Sequence, residues 1–183
     1  MARVIENGAV TGIVAAISIS ERKGIPKTNV PSARLVPDWG IQGDAHAGNW
    51  HRQVSLLAVE SIEKMRAKGL DVGPGAFAEN ITTEFIDIPH LQVGDRVSIA
   101  EAELEITQIG KECHSRCAIF EAAGDCVMPR DGIFGRVVLG GCDVTGRLAA
   151  ALNQMATGLQ ERDHVKEVFG RYVATQVSAQ ILE

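Results

Sequence analysis

Aromatic residues are scarce in this chain: five Phe, two Trp and one Tyr make up 4% of 183 residues. So few rings leave little material for stacking platforms of the kind that bind single-stranded nucleic acid. Basic residues do not dominate either, with 18 Lys and Arg against 23 Asp and Glu and a net charge of −5. A chain of that charge has no broad positive field to attract a phosphate backbone, so nucleic acid is excluded as a partner. The longest apolar run, residues 13–19, is too short to cross a bilayer. The opening MARVIENGAV has no apolar core of the kind found in signal peptides. These absences lead us to expect a cytoplasmic protein. No internal repeat or low-complexity tract is visible.

What is present is an ordinary globular composition, 45% hydrophobic and 22% charged. The length suits one typical domain with an added element and needs no disulfide staples. Four cysteines occur, at 113, 117, 126 and 142. Without an export signal, an even number of cysteines points to thiol chemistry or metal binding rather than disulfides.

Periodicity predicts a strand over residues 12–20 (GIVAAISIS), with Val14, Ala16 or Ile17 inward. Residues 21–48, with three prolines and several glycines, read as a long loop, and such loops are usually functional. A strand is expected over 53–58, then a helix over 59–68 stopped by Gly69. The GPG at 73–75 is a turn leading into an extended stretch over 77–83. Residues 95–99 and 103–109 alternate as a β-hairpin, and 132–139 (GIFGRVVL) reads as a final strand. The fold class expected is mostly β with some α, as an antiparallel barrel or sandwich.

From about residue 143 the pattern changes. Leu148, Leu152, Met155 and Leu159 follow heptad spacing, after which the apolar positions shift to Val165, Phe169 and Tyr172. A long amphipathic helix is expected there. It would either pack on the β domain or pair with a second copy as a homodimer.

Three short motifs can carry chemistry. GKECHSRC (110–117) follows a predicted strand and flanks Cys113 with Lys111 and Arg116. Nearby cations favour the thiolate, which is both nucleophile and metal ligand. A zinc site using Cys113, His114 and Cys117, or ordinary buried cysteines, remain open alternatives. GDAHAG (43–48) places Asp44 and His46 among small residues, where backbone amides can approach a ligand. Asp44 could orient His46, or simply bond its own turn. Arg52 follows closely and could bind an anion. GAFAENI (75–81) sets Glu79 and Asn80 before an apolar residue, which equally suits a strand entrance, with Phe77 in the core.

Taken in order, GDAHAG, RQVSLL, GAFAENI, VGDRV and a cysteine just beyond a hairpin strand resemble the MOSC domain, over about residues 12–141. That resemblance implies an irregular β-barrel with a few helices, as a domain spanning residues 1–142. It also implies molybdenum cofactor binding, with Asp44, His46, Arg52, Glu79, Asn80 and Lys111 as candidate cofactor contacts. Lys111 and Arg52 would meet the pterin phosphate. By position Cys113 matches the family cysteine that carries sulfur or ligates molybdenum. The prolines common around that cysteine are here replaced by Gly110, Lys111 and Glu112. A sulfur donor or an electron-transfer protein is the implied partner.

Residues 143–183 resemble the second helix of a HAMP signalling domain and the linker preceding class III nucleotide cyclases. This likeness rests on the NQM…GLQERD…FGRYV run. It implies a long, coiled-coil-like helical tail that dimerises. An alternative function follows from it, a non-catalytic module that senses cofactor and signals through that tail.

Overall fold

A computed structural model describes residues 10–86, 88, 91–111, 113, 117–145 and 149–153. Side chains are described between Gly12 and Gly141.

Eleven strands and three short helices are present among these residues. In chain order they are β1 (Val10–Ile19), β2 (Thr28–Val30), β3 (Ser32–Val36), β4 (Gly40–Ile41), β5 (Val54–Ala58) and α1 (Val59–Arg66). Then come β6 (Ile81–Glu84), β7 (Arg96–Ile99), β8 (Ala102–Ile109), α2 (Ala118–Ala123), α3 (Met128–Asp131), β9 (Ile133–Leu139), β10 (Gly141–Thr145) and β11 (Ala149–Asn153). The mostly β character expected from the sequence is present. The single barrel is not, because the strands divide between two sheets.

The larger sheet runs β11-β7-β8-β9-β5-β6-β1-β2, and a separate three-stranded sheet runs β10-β3-β4. β11 also pairs with β1, from Val10 opposite Leu152 to Ile13 opposite Ala149. That pairing brings the two flanks of the larger sheet together, while β2 continues the sheet beyond β1. The pairs are antiparallel except β5 with β6, and α1 forms part of the connection between those two strands. A parallel pair needs such a crossover.

β1 shows how the sequence fits this sheet. Val14 and Ile17 are both buried although three positions apart, an odd spacing that strict alternation forbids. A register shift between Val14 and Ala16 opposite β6 resolves the conflict by re-aiming the strand.

Two apolar clusters result. The larger joins Val14, Ile17, Leu56, Ile81, Val97, Leu104, Ile106 and Val137 across the strands. The smaller joins Leu57, Ile62 and Met65 to Phe77, Cys126, Met128 and Phe134. It lies under α1 and the segments carrying α2 and α3.

Several expectations are corrected. Residues 21–48 are not one loop, since β2, β3 and β4 fall within them. The strand after the GPG turn starts at Ile81 rather than residue 77. Residues 132–139 are not the last strand, and the helix expected from 143 is replaced at its start by β10 and β11. Leu152 stands opposite Val97 and Val10 in a ladder, so it is not a heptad seam position. Leu148, Met155, Leu159 and the rest of the expected helix lie outside the described residues.

Gly75 is a tight point in this packing. Its φ of +88° is unfavourable for other residues, and a Cβ there would stand 2.4 Å from the Lys27 carbonyl oxygen. Gly75→Ala should therefore cost about 1–3 kcal/mol. We expect a lower urea midpoint at unchanged m-value.

Candidate functional site

The site is built on a buried carboxylate. The Asp44 side chain is 0% exposed and accepts hydrogen bonds from the Ser20 amide (3.0 Å), the His46 amide (3.0 Å) and the Lys27 ammonium. Lys27, itself 1% exposed, belongs to the segment before β2 and reaches across to the GDAHAG turn. Burial alone would raise the Asp44 carboxyl, but the nearby His46 imidazole, the Lys27 ammonium and the Ser20 amide outweigh it. They hold Asp44 well below the usual carboxylate range.

Lys27 Nζ also lies 3.2 Å from His46 Nδ1. The His46 carbonyl accepts from Trp50 Nε1 at 2.8 Å, which ties the turn to the loop before β5. The Arg52 guanidinium then lies 5.0 Å from the Trp50 ring and 5.8 Å from that of Phe134. Its Nε is buried without a hydrogen-bond partner.

These groups border a hollow lined by His46, Trp50, Arg52, Asn80, Lys111 and Phe134, with Ser55, Phe77, Ala78 and Met128 completing the wall. Its free space, counted with the open mouth, is about 430 Å³. Among the described residues no carboxylate lines it. Arg52 and Lys111 therefore bring positive charge to a partly enclosed space.

The structure thus gathers His46, Arg52, Asn80 and Lys111, four of the six expected cofactor contacts, at one place. The other two stand behind the wall. Asp44 anchors the turn that carries His46. Glu79, 0% exposed, accepts from the amides of Gly75 (2.6 Å) and Phe77 (3.0 Å) and from the Thr82 hydroxyl (3.1 Å). Burial pushes the Glu79 carboxyl up, and the backbone donors oppose that shift. Its job is to hold the GPG turn against Lys27, whose amide donates to the Gly75 carbonyl (2.9 Å). Asn80 has a structural role as well. Its Oδ1 accepts from the Ser55 amide and hydroxyl, and its Nδ2 donates to the Ser18 carbonyl.

Cys113 is exposed and lies two residues beyond Lys111. The turn that leads to it is fixed at Gly110, whose amide donates to the Gly132 carbonyl (2.7 Å). The Gly110 carbonyl accepts from Gln108 Nε2 (2.7 Å). Gln108 Oε1 in turn lies 3.1 Å from His51 Nε2, linking the cysteine arm to the loop that carries Trp50 and Arg52. Cys117 is exposed at the start of α2, and Cys126 is buried in the smaller cluster. Burial pushes the Cys126 thiol up, away from the thiolate. His114 and Arg116 lie outside the described residues. Among the described residues no group of three His, Cys, Asp or Glu side chains could hold a metal.

Sequence patterning missed Lys27, because a lysine beside a proline in an irregular stretch carries no periodic signal. Phe77 was assigned to the core; it is buried there and also faces the hollow.

Fold and site together define a small β protein with a cation-bordered hollow, one of whose lining residues, Lys111, stands two positions before an exposed cysteine. The MOSC domain family model matches residues 43–181, about three quarters of the chain, so the chain belongs to the MOSC domain family. That match continues past residue 143, and together with β11 it leaves the HAMP-like reading of the tail without support.

Among solved structures, the chain is similar to the YuaD protein of Bacillus subtilis, with a TM-score of 0.67 and 17% identity over 80% of this chain and 98% of that one. It is also similar to YiiM of Escherichia coli (TM-score 0.58, 17% identity, 80% and 72% covered). YiiM of Geobacillus stearothermophilus gives a TM-score of 0.58 at 16% identity, with 80% and 77% covered. At these identities the likeness concerns the fold. No curated protein matches. No helix among the described residues is long and apolar enough to cross a membrane.

Because Asp44 is held ionised far below its ordinary 3.8, its contribution to stability is present above that value and is lost as pH falls through the folded value. Asp44→Asn should cost about 3–5 kcal/mol near neutrality by leaving Lys27 buried and uncompensated. The gap from wild type should narrow on acidification below about pH 4, as read from urea unfolding at stepped pH.

Proposed function

We propose that this protein binds the molybdenum cofactor in the hollow beside Cys113 and acts through the Cys113 thiolate. One observation carries the reading. Two cations, Arg52 and Lys111, for which no ion pair is found among the described residues, line a space that no described carboxylate lines, and Lys111 stands two positions before an exposed cysteine. Membership of the MOSC family, which is associated with this cofactor, supports it.

The donor set fits a phosphate-bearing cofactor. The buried Arg52 Nε without a partner is the kind of group an anion would satisfy. Arg52 and Lys111 would hold the phosphate, His46 would add a neutral hydrogen bond, and Phe77, Met128 and Phe134 would exclude water from one side. When bound, the cofactor supplies redox chemistry at its metal.

Cys113 has two roles open to it. As a ligand, its thiolate would bind molybdenum, and turnover would then need an electron-transfer partner, since the sequence carries no flavin or iron–sulfur signature. As a carrier, the thiolate would attack the outer sulfur of a donor persulfide. The donor thiolate would leave, and Cys113 would hold the sulfur as its own persulfide. The sensory alternative rested on a helical tail beginning at residue 143, and β10 and β11 occupy the first part of that segment.

The test is expression in a host that makes the cofactor, followed by assay of molybdenum, zinc and released pterin per chain. We expect molybdenum and pterin together in the wild type and loss of molybdenum in Cys113→Ala. Arg52→Gln with Lys111→Gln should lower pterin content about tenfold or more. Zinc without pterin, or neither in the wild type, would refute the cofactor-holding reading.

A further inference from the structure

The contacts of His46 fix more than its position. A lysine ammonium has only donors, so Lys27 Nζ, 3.2 Å from His46 Nδ1, makes that nitrogen the acceptor. The alternative partner for an Nδ1–H, Asp44 Oδ2, lies 3.6 Å away, too far for a hydrogen bond. Asp44 Oδ2 is already engaged by the His46 amide. In the neutral ring the proton then resides on Nε2.

Trp50 Nε1 is engaged by the His46 carbonyl and so clamps the same residue from the other side. Among the described residues, the charged and imidazole side chains that line the hollow are Arg52, Lys111 and His46, and with His46 as the Nε2–H tautomer all three are donors.

We propose that Lys27 is a positioning residue that locks His46 as the Nε2–H tautomer, so that His46 serves as a hydrogen-bond donor to an oxyanion in the hollow. The donor role rests on the anion-binding reading above, whereas the lock stands apart from it. Asp44 holds the Lys27 ammonium, Lys27 holds the imidazole, and the imidazole presents one N–H. A ligand group with several acceptor oxygens and no proton to donate, such as a phosphate monoester, matches that set. A neutral alcohol or amide that must itself donate does not.

Protein with nitrogen-15-labelled histidine, observed by long-range proton–nitrogen correlation, tests the lock directly. The wild type should show His46 as a single Nε2–H tautomer. Lys27→Met alone would strand the Asp44 charge and could unfold the protein, so it is combined with Asp44→Asn, which removes both charges of the pair. In that double variant the His46 signals should average between tautomers. An Nδ1–H or averaged ring in the wild type would overturn the lock, as would an unchanged Nε2–H ring in the double variant.

Titration with inorganic phosphate tests the donor role. His46→Phe should weaken phosphate binding about tenfold, and His46→Gln, which keeps an N–H donor, should stay within about threefold. Equal affinity in His46→Phe and wild type would overturn it. A wild type that is locked but binds no phosphate would refute the anion reading and leave the lock standing.

Discussion

A buried carboxylate must find donors or lose its charge, and Asp44 finds them on three separate segments. The Ser20 amide comes from the end of β1, Lys27 from the approach to β2, and the His46 amide from the GDAHAG turn. These segments converge because the charge is there. The same pressure shapes the neighbouring turn, where the Glu79 carboxylate holds the amides of Gly75 and Phe77, and the Gly75 carbonyl in turn receives the Lys27 amide. Two buried acids thus brace the turns around the hollow, while Arg52 and Lys111 line it. That division explains how an acidic chain presents a positive hollow.

The sheet supplies the frame for this arrangement. β5 and β6 run in parallel and bring Ser55 and Asn80 together at one wall of the hollow, where Asn80 bonds three backbone or hydroxyl groups. β8 leads through Gly110 to Lys111 and β9 carries Phe134, and Lys111 and Phe134 both line the hollow. Near Gly110 the chain is closely packed: a Cβ there would stand 2.3 Å from the Pro129 carbonyl oxygen. The cysteine arm therefore leaves the sheet from a rigid point, with Cys113 beyond it in solvent.

Much of this is legible in the sequence where one physical signal dominates. The hairpin of β7 and β8 shows clean alternation, α1 carries a stop at Gly69, and GDAHAG and GAFAENI mark the two turns that meet at Lys27. Other parts depend on partners distant in the chain. β2, β3 and β4 are too short and too rich in turn residues to show a period; β3 and β4 pair with each other and β3 with β10, while β2 pairs with β1. β11 reads AAALN, with four good helix formers before its asparagine, yet it fills the gap between β7 and β1, where ladder hydrogen bonds override propensity. The heptad position expected for Leu152 is thus overridden by the ladder. Glu79 was recognised as notable but looked like a ligand, because burial that turns a carboxylate inward leaves no mark in sequence.

The central claim is that the hollow braced by Asp44 receives the molybdenum cofactor beside Cys113. Its most direct test is a crystal structure of protein purified from a host that makes the cofactor. The account predicts density for the cofactor in the hollow, with its phosphate on Arg52, Lys111 or His46 and its metal on the Cys113 side. Cofactor bound elsewhere on the surface, or a hollow occupied by a ligand without phosphate, would contradict it.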